Sequence, residues 1–307
     1  MTTQLPFELL ALIIDFVAAD AFNHDKKAPD TTDLRQCALV SPQIAIYCQQ
    51  HLFSRIEIAL DKPRALSNLR HILEIDHPEI GPYIKVLSVI FCLSRDATFH
   101  GLDGILKTCT QVTELNIRSL PFGNDPVVIR RDSELPDNVR LALESILYSP
   151  TCKTFSFDGL AMPISMFATP HRSCTLESLT LTQGGFYQEQ NGVLVEGSSY
   201  SSLRFLSLPT SRIRDLLPHK FWNSQYVLDF TGLATLWVNH KYSRTEPKVI
   251  AEMLRRAPRL QALGIILRCE SSLTMTRMQL TIFFSIPPRS TSHYLLHTRT
   301  LPLHNVG

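Results

Sequence analysis

A short apolar pattern that recurs between residues 84 and 265 constrains the fold of this chain more than any other feature. Each copy contains an apolar residue, two spacers, a second apolar residue, one spacer and a third apolar residue. The second and third positions alternate as in a strand with one buried face, and the first lies beneath the turn that leads into the strand. The copies are Ile84/Leu87/Val89, Val112/Leu115/Ile117, Cys152/Phe155/Phe157, Leu176/Leu179/Leu181, Leu203/Leu206/Leu208, Leu233/Leu236/Val238 and Leu260/Leu263/Ile265.

The spacing of these copies predicts a stacked α/β architecture. Their middle positions follow one another at steps of 28, 40, 24, 27, 30 and 27 residues. This spacing resembles that of leucine-rich repeats, whose units span about 20–29 residues, in an irregular form without the usual asparagine. Helical stretches precede several copies, at 102–106, 139–147 and 247–254. Since one unit cannot bury its apolar face alone, we expect residues 81–270 to form an irregular solenoid, with parallel strands on its concave side and helices on its convex side.

Two polar insertions interrupt the pattern. Pro121–Pro136 lies inside the 40-residue step, and Gln183–Ser202 is rich in glycine. Insertions in a solenoid gather on one face, so these loops either rim a partner site or are tolerated surface loops, and we favour the second interpretation.

The end of the chain departs from the period. Over residues 271–307, Met275–Ile286 either forms an atypical last unit or belongs to an unstructured tail of a truncated chain. We favour the tail, because a solenoid normally closes with a polar cap and none is recognisable here.

The first residues predict three short helices instead of a repeat. Pro6 suits the first turn of a helix, and Thr32 and the Ser41-Pro42 pair are start signals of two more. The first helix has an apolar stripe at three- and four-residue steps, formed by Leu9, Leu12, Ile13 and Phe16. Leu10 and Ile14 widen this stripe beyond what one small core needs. A further helix, over 63–77, is expected in the segment 59–80 that links these helices to the repeats.

Three sequence blocks in this segment resemble an F-box. They are Leu5-Pro6 with Glu8-Leu9, then Asp33-Leu34 leading into Ala38–Ser41, then Leu52-Phe53 with Arg55-Ile56, so residues 1–58 are interpreted as an F-box-like module. The resemblance implies docking onto a Skp-type adaptor, and through it a cullin, of a ubiquitin ligase. It makes nine residues candidates for that interface or for the small core behind it: Leu5, Pro6, Leu9, Ile13, Leu34, Leu39, Val40, Leu52 and Phe53.

The resemblance is incomplete at two places. The loop between the first two helices is longer than in the family, and Ile44 stands where the family has an aromatic residue, typically tryptophan. The alternative interpretation is that Leu5–Phe53 only caps the domain that follows.

Other features limit the function classes. The 30 basic and 28 acidic residues are interspersed and give a formal charge of +2, which argues against a nucleic-acid partner. The 7 cysteines are scattered without a paired motif, which suits a reducing cytoplasmic or nuclear location. We expect no signal peptide, membrane span, metal or cofactor. Trp222 and Trp237 are expected in the core.

Together these patterns predict a non-enzymatic adaptor: a Skp-binding helical module joined to a solenoid that binds an unidentified protein substrate. The rival hypotheses are a leucine-rich-repeat interaction scaffold with no ligase role and, from another class, a hydrolase on an unrecognised fold.

Overall fold

The computed structural model describes residues 6–22, 30–92, 99, 101–120, 136–163, 175–182, 184–187, 203–209, 230–241, 254–255, 257–270 and 277–285.

Three helices form the N-terminal module: α1 (Phe7–Ala21), α2 (Thr32–Cys37) and α3 (Pro42–Leu52). The start of α3 follows the predicted signal, because Ser41 Oγ accepts a hydrogen bond from the Ile44 N–H at 3.3 Å. The predicted cap of α2 is wrong: Thr32 is already helical and donates its N–H to Asp30 Oδ1 at 3.1 Å. The helices enclose a small core of Ile14, Ala18, Ala21, Leu34, Ile44 and Cys48.

Eleven strands follow in the described part of the chain, nine of which form one sheet. They are β1 (Arg55–Ala59), β2 (Val86–Cys92), β3 (Glu114–Leu120), β4 (Thr154–Asp158), β5 (Leu160–Pro163), β6 (Ser178–Leu181), β7 (Gly184–Tyr187), β8 (Phe205–Pro209), β9 (Thr235–Lys241), β10 (Ala262–Glu270) and β11 (Arg277–Ser285). The large sheet has the order β1-β2-β3-β4-β6-β8-β9-β10-β11, and β5 pairs with β7 separately. All neighbours are parallel except β10 and β11. The predicted α/β class with a parallel sheet is confirmed.

The recurring apolar residues form the buried face of this sheet. All are buried except Ile265, which is partly buried against the same core. Their middle positions are register partners from strand to strand, beginning with Leu87 beside Leu115 and ending with Leu236 beside Leu263. The predicted alternation is therefore confirmed.

The turns that enter the strands share one hydrogen-bond arrangement. A carbonyl oxygen just before each strand accepts bonds of 2.8–3.0 Å from two successive N–H groups of the next unit. The arrangement satisfies backbone groups at the same place in each turn and keeps the strands in register. The accepting residues are Ser54, Lys85, Thr113, Lys153, Glu177, Arg204 and Ala234.

Helices cover the core side of the sheet. They are α4 (Pro63–His71), which continues into a π turn at Ile72–Asp76 and a 3-10 turn at Pro78–Tyr83, then α5 (Leu102–Thr108) and α6 (Asp137–Leu147). Their buried residues join the same core as the strands. The helices expected at 63–77, 102–106 and 139–147 are thus present, whereas most of 247–254 lies outside the described residues. We call the opposite side of the sheet the open face.

The structure moves two predicted boundaries. Arg55–Ala59 forms β1 and pairs with β2, so the helical module ends at Ser54 instead of residue 58. This strand belongs to an eighth apolar copy, Phe53/Ile56/Ile58, in which Ile56 is the register partner of Leu87. The second boundary is at the other end, where the expected unstructured tail is wrong for Arg277–Ser285: these residues pair with β10 as a last, antiparallel strand.

The two predicted insertions are only partly described. Gly184–Tyr187, expected in a loop, is strand β7, because its backbone pairs with Leu160–Pro163. The remainder of that insertion, and residues 121–135 of the other, lie outside the described residues.

Candidate docking surface on the N-terminal helices

Helix α1 is apolar on two opposite sides. Its inward side supplies Ile14, Ala18 and Ala21 to the module core, with Leu10 and Val17 packed against them. Its outward side carries four large side chains with exposed fractions of 49–77%: Leu9, Leu12, Ile13 and Phe16. We call these four residues the outer face of α1. Large apolar side chains that are exposed together mark sites of contact with other proteins, so the outer face is a candidate docking surface.

A second apolar patch stands on the turn between α2 and α3. Leu39 is 86% exposed and Val40 is 71% exposed. Their backbone N–H groups bond to the carbonyls of Gln36 and Cys37 at 3.1 Å, so the turn is ordered while its side chains project outward. Ile46 on α3 is 52% exposed and adds a further apolar group.

The structure describes eight of the nine predicted interface residues and divides these eight into three groups. Pro6, Leu9, Ile13, Leu39 and Val40 are exposed. Leu34 is completely buried in the module core and Leu52 is partly buried against it. Phe53 packs on the core of the sheet, because it begins the eighth apolar copy. It was expected in the interface or in the module core. Leu5 lies outside the described residues.

Sequence reasoning left four exposed apolar residues out of the candidate interface: Phe7, Leu12, Phe16 and Ile46. The available signal was the excess of apolar residues on α1, since Leu12 and Phe16 lie in the same stripe as Leu9 and Ile13. Ile44, at the position where an F-box has its aromatic residue, is buried in the module core.

A polar contact holds α1 against α3. The Tyr47 hydroxyl donates to Asp15 Oδ1 at 2.8 Å, and His51 Nε2 lies 3.0 Å from the same oxygen. The hydrogen bond to Asp15 and partial burial raise the pKa of Tyr47. The Tyr47 ring also contacts Phe7 edge to face, with ring centroids 6.1 Å apart. These contacts fix the side of α1 that faces outward.

The module joins the sheet without a flexible linker. Only Phe53 and Ser54 separate α3 from β1, and the Ser54 carbonyl accepts hydrogen bonds from the N–H groups of Lys85 and Val86, both at 2.8 Å. The Arg55 guanidinium lies 5.6 Å from the centroid of the Phe22 ring, a cation–π contact between β1 and the residue after α1. A surface on α1 is therefore held in a defined position next to the first strands.

The open face of the sheet changes character along the strand order. Its first strands carry Arg55, Glu57, Glu114 and Arg118. Asn116 donates to Glu114 Oε1 at 2.8 Å and accepts a bond from the Ser156 hydroxyl. Further along, Trp237 lies on the open face, half-buried, although a core position was expected for it. Trp222 lies outside the described residues.

The comparisons give no relative from which a function could be taken. No family model, curated protein or solved structure matches the chain. Within the described residues, none of the helices has the length and apolar character needed to cross a membrane. In the same part of the chain, no cluster of three or more His, Cys, Asp or Glu side chains could hold a metal ion.

Proposed function

We propose that this chain is a substrate-recognition adaptor of a Skp–cullin–F-box ubiquitin ligase. The N-terminal helices bind a Skp-type adaptor, and through it a cullin, and the open face of the sheet binds a protein substrate. In this role no side chain performs chemistry, because the adaptor acts by raising the effective concentration of substrate near the conjugating enzyme. The proposal includes the interpretation of the sheet and its helices as an irregular leucine-rich-repeat solenoid.

The observation that carries the proposal is the outer face of α1. Covering four large apolar side chains that are 49–77% exposed contributes about 4–7 kcal/mol, since a fully exposed one contributes roughly 1.5–3 kcal/mol. Association costs several kcal/mol in lost freedom of motion. Burial of this face together with Leu39 and Val40 offsets that cost, so the surface can support a specific complex. A Skp-type adaptor is the partner that the F-box resemblance of the same residues implies.

The solenoid interpretation is supported by the regularity of the sheet. Eight parallel strands follow one another in chain order, and the same two-donor turn joins each to the next. Within the described residues, each strand of this sheet pairs only with the strands next to it in the order, as in repeat proteins. Such a sheet presents one long surface, its open face, to a partner.

A scaffold without a ligase role is the second candidate. The direct connection of α3 to β1 favours it, because a helical cap on the first strand would be joined in this way. A cap, however, needs its apolar side turned toward the domain that it covers. The outer face of α1 is exposed instead, and the module has a core of its own that is separate from the core of the sheet.

A pull-down with a purified Skp-type adaptor separates the two candidates. We expect the wild-type chain to bind and the Leu12→Asp, Phe16→Asp double variant to lose binding, because each carboxylate would be buried without a partner at a cost of several kcal/mol. Both positions are exposed, at 63% and 77%, so the variant should fold normally, which far-UV circular dichroism checks.

Leu141→Asp is the matched control. Leu141 is an apolar residue of α6 that is 57% exposed, and α6 belongs to the helices covering the sheet. This variant should bind the adaptor as the wild type does. If the wild type fails to bind, or the double variant binds equally well, the docking proposal is wrong and the scaffold remains.

A further inference from the structure

The large sheet ends in two edge strands that differ in how they are protected. β1 is 5 residues long and has Arg55 and Glu57 at alternate positions. β11 is 9 residues long, contains neither proline nor glycine, and has a single charged residue, Arg277, at its first position. Edge strands are usually kept from pairing with other chains by short length, charge or proline. β1 has two of these features, whereas β11 has only the charge at its end.

The outer edge of β11 offers backbone hydrogen-bonding groups. One edge of the strand is occupied by β10, which pairs antiparallel with it over its whole length. No strand in the described part of the chain pairs with the other edge. In an antiparallel ladder every second residue directs its N–H and C=O groups away from the neighbouring strand. Along β11 these groups form a template for one more strand.

The row of the sheet core continues into β11. Every second position of the strand holds an apolar residue, and these positions are in register with the row of β10 that contains Leu263 and Ile265. Leu263 is buried in the core of the sheet, and Ile265 packs against it. A strand that pairs with β11 in the same way therefore needs an apolar residue at every second position. The four apolar positions of β11 are Met278, Leu280, Ile282 and Phe284.

The sequence of β11 meets this requirement itself. When two copies pair antiparallel about Thr281, position 281 is opposite its own counterpart, and Leu280 is opposite Ile282 on both sides of the centre. The outer apolar positions, 278 and 284, are then opposite each other as well. Arg277 is opposite Ser285, so like charges do not meet. The same nine residues thus supply both the edge and a strand that fits it.

We propose that the outer edge of β11 is a dimerisation edge, to which a second copy of this chain adds its own β11 in antiparallel register about Thr281. Each copy uses the same edge, so the contact is isologous and pairing stops at two chains. Addition of β11 to β1 of another copy would continue without end, and the short length and the charges of β1 disfavour it.

Size-exclusion chromatography with multi-angle light scattering, on the purified full-length chain at several concentrations, tests the proposal. One chain has a mass of 34.8 kDa. We expect a mass about twice as large at high concentration. Dilution should lower it toward the mass of one chain, because a single added strand is a small interface.

Opposite charges at position 281 test the register. Thr281→Lys or Thr281→Glu alone places two like charges directly opposite each other, so each variant should be a monomer. An equimolar mixture places a lysine opposite a glutamate and should restore the dimer. Position 281 is in register with Ile266, which belongs to the row of Gly264 and not to the core row of Leu263. Both variants should therefore fold, which far-UV circular dichroism checks.

Two controls locate the contact. Thr180→Lys makes the same change on the inner strand β6 and should remain a dimer. The Leu12→Asp, Phe16→Asp variant should also remain a dimer, because its changes lie on α1. Thr281→Lys should retain the Skp-type adaptor in the pull-down, so failure of dimerisation can be told apart from failure of the proposed function.

Five results would overturn the proposal. They are a wild type that is monomeric at every concentration, a mass that grows beyond two chains, a dimer of either Thr281 variant alone, a mixture of the two that stays monomeric, and loss of the dimer in the α1 variant.

Discussion

At the scale of single residues, burial decides whether a cysteine thiol is reactive, which the residue type alone does not show. Cys109 follows α5 and is buried in the core of the sheet. Burial raises the pKa of its thiol from 9.0 to about 11, and the hydrogen bond with Thr108 opposes this only in part. Below that pH the thiol is protonated and inert, which agrees with the interpretation of the cysteines as small apolar residues.

This shift predicts a loss of stability at alkaline pH. The folded state holds the proton more tightly than the unfolded state, so the contribution of Cys109 is complete below pH 9 and is lost as the pH rises to about 11. We expect the wild type to lose roughly 2 kcal/mol relative to Cys109→Ala between pH 8 and pH 11. Urea unfolding of both proteins at the two pH values measures this, and a difference that does not change with pH would contradict it.

Backbone geometry acts at the same scale. Gly159, between β4 and β5, has a φ of 76°, and a Cβ atom there would lie 2.9 Å from the Cβ of Ser119. Both the conformation and the space require glycine. The sequence around Gly159 gives no sign of this, because the neighbour that excludes a side chain belongs to another strand.

At the scale of elements, α1 shows that one helix can have two apolar roles. Its inward side is completed by α2 and α3, and its outer face is left exposed. The periodicity predicted the helix and its excess of apolar residues. The periodicity did not show which side faces the core, because both sides are apolar. The packing of Leu34, Ile44 and Cys48 selects the inward side.

Alanine substitutions on the two sides of α1 should therefore differ. Ile14→Ala removes a side chain that is 3% exposed and should lower the free energy of unfolding by about 2–5 kcal/mol. Leu12→Ala, at a position that is 63% exposed, should change it by about 0.5 kcal/mol or less. Urea unfolding followed by far-UV circular dichroism measures both. Equal destabilisation by the two variants would mean that the outer face belongs to the core.

At the scale of the whole molecule, the sheet is a stack in which each strand pairs only with its neighbours in the order β1-β2-β3-β4-β6-β8-β9-β10-β11. The module core and the sheet core are separate clusters, joined at Phe53 and Arg55. The free energy of unfolding of such a stack is close to a sum of local contributions. A destabilising substitution in one unit should therefore increase local unfolding mainly in that unit and its neighbours.

Leu179→Ala tests this locality. Leu179 of β6 is fully buried, so its truncation should lower the free energy of unfolding by about 2–5 kcal/mol. Hydrogen exchange should increase most in β4, β6 and β8 and least in α1–α3. Thr180→Ala, on the open face of the same strand, is the control and should change little. A uniform increase over the whole chain would show that the molecule unfolds as one unit.

The sequence by itself determined the features that depend on neighbours along the chain. The alternation of the apolar triplets was enough to predict strands with one buried face, because side-chain direction in a strand follows from position alone. The spacing of the triplets predicted that these strands are parallel. It also implied the outward position of Trp237, the spacer between Leu236 and Val238, although the size of the side chain led to the wrong expectation of a core residue.

Tertiary structure decided what depends on contacts between distant segments. The side of α1 that faces inward, the membership of Phe53 in the sheet and the pairing of β11 with β10 each rest on partners far away in the chain. Apolar residues have no directional preference of their own, so a sequence shows that a surface must be covered without showing which element covers it.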